Sequence, residues 1–174
     1  MNSPSQISDK PKSTQVLVIM GVAGSGKTTV GNKLAEELGW QFADADSFHP
    51  PTNVDKMRSG LPLHDADRWP WLEALKQLLQ EWLRTGQHGI LACSALKRSY
   101  REMLAIDEQI RFVYLKADYS LLQSRLSTRQ GHFMKSTMLE SQIEALEEPA
   151  HALYIDASQP IETIVRTIRQ AISV

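Results

Sequence analysis

The stretch Gly21-Val-Ala-Gly-Ser-Gly-Lys-Thr28 limits the folds open to this chain more than any other. It fits the pattern G-x-x-x-x-G-K-[S/T], with Gly21, Gly26, Lys27 and Thr28 in the fixed places. Glycine lacks a Cβ and tolerates positive φ, so such a loop can turn its backbone N–H groups inward around a phosphate. The helix that follows adds the positive end of its dipole, and Lys27 adds a point charge for the β/γ-phosphates. Thr28 brings a hydroxyl to the Mg²⁺ that travels with the nucleotide. The candidate nucleotide contacts are Gly21, Val22, Ala23, Gly24, Ser25, Gly26, Lys27, Thr28 and Thr29.

The flanking segments agree with this reading. Residues 15–20 form a short apolar run rich in β-branched side chains, as expected of a buried parallel strand. Residues 29–38 place Val30, Leu34 and Leu38 at helical spacing, and Gly39 supplies a stop. Further strands are expected at 40–43, 88–93, 110–115 and 153–155. Between them lie helical patterns, among them one opening at Trp69-Pro70 and ending at Thr85-Gly86. Its Trp71, Leu72, Leu75, Leu78, Leu79, Trp82 and Leu83 stripe reads as core or interface. Strands alternating with helices predict a parallel sheet with right-handed crossovers: a three-layer α/β/α P-loop domain with five strands.

At 174 residues the chain has the length of one domain, with 1–14 expected as a flexible leader and 15–174 as the folded unit. A formal net charge of -1 gives no general reason to propose nucleic acid or an anionic membrane as partner. The single cysteine, Cys93, cannot form an internal disulfide and suits a reducing cytosol. No apolar stretch approaches transmembrane length, and the start of the chain is too polar for a signal peptide, so a cytoplasmic location is expected.

The second strand runs into Asp44-Ala-Asp46-Ser-Phe-His49-Pro50. Two carboxylates two residues apart on an extended chain point to the same side, at the end of the sheet where ligands bind. With the phosphate loop expected on a neighbouring strand, Asp44 and Asp46 become site candidates; as helix cap or turn residues they would be structural only. Many nucleotide hydrolases carry an Asp at the end of the strand that here ends in Cys93. None stands there, so Asp44 is the nearest second partner for the metal. Lys97, Arg98 and Arg101 read either as a solvated helix face or, for Lys97 above all, as an anion contact. Arg125 and Arg129 lie four apart before Gly131, as in a closing flap that presents arginines to phosphates, or as in an exposed basic helix end.

Several of these segments together resemble the gluconokinase family of small P-loop kinases. The likeness rests on the phosphate loop, on Asp44-Ala-Asp46-Ser-Phe-His49-Pro50 with Asn53, Lys56 and Met57, and on Gly60-Leu-Pro-Leu63. It continues through Asp65-Ala-Asp67-Arg68-Trp-Pro70-Trp71-Leu72, Cys93-Ser-Ala-Leu-Lys97 with Tyr100-Arg101, Gly131-His-Phe133 and Leu146-Glu-Glu-Pro149. It spans about residues 16 to 172, and its Asp-x-Asp-x-x-His-Pro and Cys-Ser-Ala-Leu-Lys segments are far more specific than the loop alone. The resemblance implies phosphorylation of D-gluconate to 6-phosphogluconate with ATP and Mg²⁺, on a fold like that of shikimate and adenylate kinases. A lid at about 125–136 is implied too, and relatives are often homodimers.

On that reading Thr28 and Asp44 serve the metal, and Asp46 orients or deprotonates the attacking hydroxyl. Lys27, Arg125 and Arg129 neutralise charge on the transferred group. His49, Arg68 and Lys97 are candidates for the anionic, hydroxyl-rich acceptor. A shikimate-type kinase is the runner-up. A GTP-dependent switch would usually carry an Asn-Lys-x-Asp segment, which this chain lacks.

Overall fold

The computed structural model describes residues 13–128 and 136–174. Five strands make one parallel sheet: β1 (Val16–Met20), β2 (Gln41–Asp44), β3 (Gly89–Ala92), β4 (Ile110–Lys116) and β5 (Leu153–Asp156), in the order β2-β3-β1-β4-β5. Among the described residues, seven α-helices connect and flank them: α1 (Lys27–Leu38), α2 (Pro51–Arg58), α3 (Asp65–Thr85), α4 (Arg98–Leu104), α5 (Tyr119–Thr128), α6 (Ser136–Ala145) and α7 (Ile161–Ile172).

The central strand explains the layering. Every residue of β1 is fully buried, and successive side chains face opposite ways. Val16, Val18 and Met20 join Leu72, Leu75, Leu79 and Leu104 under α3 and α4. Leu17 and Ile19 join Leu34, Ile164, Val165 and Ile168 under α1 and α7. The apolar stripes read from the sequence are the faces that close these two cores. Among the described residues, no helix is long and apolar enough to cross a membrane.

Two expectations change. The second strand is not a neighbour of the first, because β3 lies between them. Asp44 is in register with Ala92 at the end of β3 and reaches the phosphate loop from there. The long helix opens at Asp65, not at Trp69-Pro70. Its start is set by the Asp67 carboxylate, which accepts the His64 N–H at 2.9 Å and favours the positive helix end. Pro70 removes one helical bond, from the carbonyl of Ala66, and Ala66 is exposed to water.

Candidate active site

The loop between β1 and α1 turns tightly on its glycines. A Cβ at Gly21 would stand 2.8 Å from Ser25 Oγ and 2.9 Å from the Leu115 carbonyl. Gly26 caps α1 with φ 99°, a left-handed conformation that costs other residues about 1–2 kcal/mol. Several loop donors are already engaged: Gly21 N–H on Ser94 O, Ser25 N–H on Val22 O, and Ala23 N–H on Gln142 Oε1 at 2.7 Å. Among the described residues, the N–H groups of Gly24, Gly26, Thr28 and Thr29 carry no such bond, and they cluster at the positive end of α1. Ser25 is 1% exposed, its hydroxyl has no hydrogen-bond partner among the described residues, and its N–H is spent inside the loop. Lys27 Nζ donates to Val22 O at 3.1 Å.

Beside the loop, Thr28 Oγ1 donates to Asp44 Oδ2 at 2.8 Å. A hydroxyl whose proton is turned to a carboxylate keeps its lone pairs available, and hydroxyl plus carboxylate is a hard oxygen set suited to Mg²⁺. Among the described residues no three or more His, Cys, Asp or Glu side chains form a metal cluster. A kinase-type Mg²⁺ needs none, because one or two protein oxygens are completed by phosphates and water. Asp44 Oδ1 accepts the Asp46 N–H at 3.0 Å and caps a one-turn 3-10 helix over Ala45–Phe48. Asp46 thus reaches the site from a helical turn, not from the extended chain expected; the two carboxylates are joined by the cap. Cys93, buried at the end of β3, feels Lys27, Asp46 and Asp44 together, so all three charges converge on one place. Burial pushes its thiol up to about 12, which leaves it a neutral, unreactive core group.

The segment that follows Asp46 is built around Trp71. Its Nε1–H donates to Ala45 O at 2.7 Å and pins the 3-10 turn to α3, while its ring stacks on His49 at 4.4 Å. Asn53, 2% exposed, has its amide nitrogen 3.2 Å from His49 Nδ1 and 2.8 Å from Asp67 O. Because that amide is a donor, Nδ1 accepts and the ring proton sits on Nε2. Burial, then the charge of Arg68, lowers the His49 pKa to about 4. His49 is consequently a neutral hydrogen-bonding group rather than a cation. In the unfolded chain it regains its ordinary value of 6.5, so between pH 6.5 and 4 only the unfolded state takes up this proton. Stability should fall with acid across that window, with a slope approaching ~1.4 kcal/mol per pH unit, and be unaffected by His49 above it. Urea midpoints of the protein and of His49→Gln from pH 7.5 to 4.5 check this: the variant should lose less. Parallel curves would mean that His49 titrates normally.

Arg68 and Lys97 come together around two further residues, Tyr100 and Asp65. Lys97 Nζ meets Asp65 Oδ1 at 3.0 Å and lies 5.7 Å from the centre of the Tyr100 ring. Arg68 donates to Tyr100 Oη at 3.1 Å and to Leu63 O at 2.9 Å. The Tyr100 hydroxyl donates to Asp65 at 2.5 Å; this bond and Lys97 hold the Asp65 carboxyl below its usual range. Two cations and one carboxylate leave a net positive, hydrogen-bonding patch. Tyr100 stands three residues after Lys97, which caps α4, and that helical spacing was the available signal.

Of the other basic candidates, Arg101 is neither solvated nor an anion contact. It is 8% exposed and donates to the carbonyls of Ala95, Leu96 and Glu147 at 2.8, 3.0 and 2.7 Å. It holds Ala95 in the left-handed region (φ 45°) and so shapes the Cys93–Lys97 turn that delivers Lys97. Arg98 pairs with Glu102 on the surface. Arg125, expected on the transferred phosphoryl group, stands beside the phosphate loop. Its guanidinium is spent on the carbonyls of Gly24, Ser25 and Ala157, at 3.2, 3.3 and 2.7 Å. It walls a cavity of about 260 Å³ between Gly26, Thr29, Gln159 and Ile161, beside the loop. Arg129 and most of the expected lid, residues 129–135, lie outside the described residues. A larger cavity of about 400 Å³, near Arg111 and His151, contains none of the candidate residues.

Parallel sheet, phosphate loop and the Thr28–Asp44 pair beside it define a small P-loop kinase. The profile of the shikimate kinase family matches residues 23–173. A probable gluconokinase of Xenopus tropicalis is 44% identical over 172 residues, covering 88% of this chain and 90% of its own length. The gluconokinase of Gluconobacter oxydans is 51% identical over 134 residues, 76% of this chain and 75% of the relative. The crystal structure of a gluconokinase from Sinorhizobium meliloti superposes with a TM-score of 0.78 at 43% identity, over 88% of this chain and 89% of that one. The chain belongs to the gluconokinase family, within the shikimate kinase group of P-loop proteins.

Proposed function

We propose that the protein transfers the γ-phosphoryl group of ATP to D-gluconate, giving 6-phospho-D-gluconate. The observation that carries the acceptor is the Arg68–Tyr100–Asp65–Lys97 patch facing the same end of the sheet as the phosphate loop. A sugar acid has one carboxylate and several hydroxyls, and this patch has excess cation with mixed donors and acceptors beside it. The gluconokinase relatives support the same choice.

ATP with Mg²⁺ supplies the phosphoryl group and shields its charge. The N–H groups of Gly24, Gly26, Thr28 and Thr29 and the Lys27 ammonium hold the phosphates; Thr28 and Asp44 serve the metal. Arg125 frames the nucleoside cavity. Asp46 accepts the proton of the attacking hydroxyl, and Arg68, Lys97 and neutral His49 orient the acceptor. With no covalent intermediate needed, positioning and charge compensation carry the rate.

ADP release measured against a panel of acceptors tests the assignment. It should depend on gluconate, with shikimate and nucleoside monophosphates inert. The family profile gives shikimate a specific claim as the second reading. Equal or better turnover with shikimate would overturn gluconate and favour it.

A further inference from the structure

One peptide unit of the phosphate loop is held from both sides. The carbonyl of Val22 accepts from Lys27 Nζ at 3.1 Å and from Ser25 N–H at 3.2 Å. Across the same planar peptide, the N–H of Ala23 donates to Gln142 Oε1 at 2.7 Å. In a trans peptide these groups point in opposite directions, so Gln142 and Lys27 grip the plane at its two ends. Rotating the plane to release either contact breaks the other.

Gln142 is well placed for this. It lies on α6, and Leu139, one turn earlier, is 1% exposed and packs with Val22, Leu96 and Leu122. The segment after α6 is fastened as well: Glu147 N–H donates to Leu96 O, and Arg101 donates to Glu147 O. The acceptor oxygen is thus carried by an anchored helix and aimed at a half-exposed loop amide 119 positions away in sequence. In a loop whose N–H groups exist to meet phosphate oxygens, a glutamine carbonyl occupies one donor and removes its freedom to turn.

We propose that Gln142 is a positioning residue for phosphoryl transfer, acting through the Val22–Ala23 peptide to hold Lys27 at the phosphates. The hydrogen bond fixes the plane on which the lysine rests, so that the ammonium meets the transferred group without reorganising the loop. The inference rests on the kinase reading but not on which acceptor is phosphorylated.

Gln142→Met keeps the side-chain length and helix propensity and deletes the strong acceptor. The expected result is a kcat lower by about tenfold, a KM for the acceptor within about twofold, and an unchanged melting temperature. Amide exchange, read by NMR in the nucleotide-free protein without any substrate, should show Ala23 protected in the parent and at least about tenfold faster in the variant. A kcat within about twofold of the parent overturns the proposal. So does a loss of activity that only follows the unfolded fraction. An unprotected Ala23 amide in the unmutated protein overturns it by itself, whatever the variant does. Failure of gluconate as acceptor leaves the Ala23 exchange untouched, so the two readings fail separately.

Discussion

Replacing Lys27 by alanine should leave a folded protein whose phosphoryl transfer is slower by about a thousandfold or more. The loss follows from where the charge stands. Lys27 is the first residue of α1, with Nζ folded back over the loop at Val22 O, beside the engaged and unengaged N–H groups that would meet phosphates. Charge that develops on the transferred group has no other lysine of the described loop to meet it, and fixed charges in such sites contribute several kcal/mol to the barrier. The fold should not suffer. A cation in the first turn of a helix opposes the dipole, by about 0.3–1 kcal/mol, which works against the hydrogen bond to Val22 that is lost. Turnover with gluconate and thermal melting on the same preparation check both halves. A folded Lys27→Ala protein with near-normal turnover removes Lys27 from the mechanism.

Asp44 and Asp46 should divide their work. Asp44 holds the Thr28 hydroxyl and the Asp46 N–H with its two oxygens, which places it beside the phosphate loop. Asp46, one residue into the 3-10 turn, is exposed, and the turn leads on to His49. Asp44→Asn should weaken the use of Mg²⁺ and be partly rescued by raising its concentration. Asp46→Asn should slow the chemical step by on the order of a hundredfold, with no rescue, because an amide cannot take the hydroxyl proton. Turnover of both variants across a Mg²⁺ titration at saturating ATP reads the difference. Rescue of Asp46→Asn and not of Asp44→Asn reverses the roles. Normal activity in both reduces the pair to a turn and its cap, a function the hydrogen bond between them already performs.

Much of this molecule is legible in its residue order because the relevant interactions are local. Gly21 and Gly26 with Lys27 and Thr28 specify a tight turn and a helix start by backbone sterics alone. The apolar run of β1 and the stripes on α3 and α7 specify strand and helix by period, hence a parallel sheet clad on both faces. The neighbours of a side chain across the fold are another matter. Nothing in the spacing of Arg125 tells that three carbonyls, one on Ala157, consume its guanidinium, or that Arg101 is a buried clasp. Asp44 and Thr28 meet 16 positions apart only because β3 sits between β1 and β2 and brings the end of β2 beside α1. Helix starts moved too, where a side-chain cap such as Asp67 outweighed a proline signal. The sequence by itself determined the phosphate loop, the layers and the class of chemistry, since each follows from chain-local geometry. Tertiary packing decided which charges stay available for ligands. A buried carbonyl cannot go without a donor, so cations such as Arg101 and Arg125 are taken up by backbone, while Lys97 and Arg68 gather around the side chains of Asp65 and Tyr100.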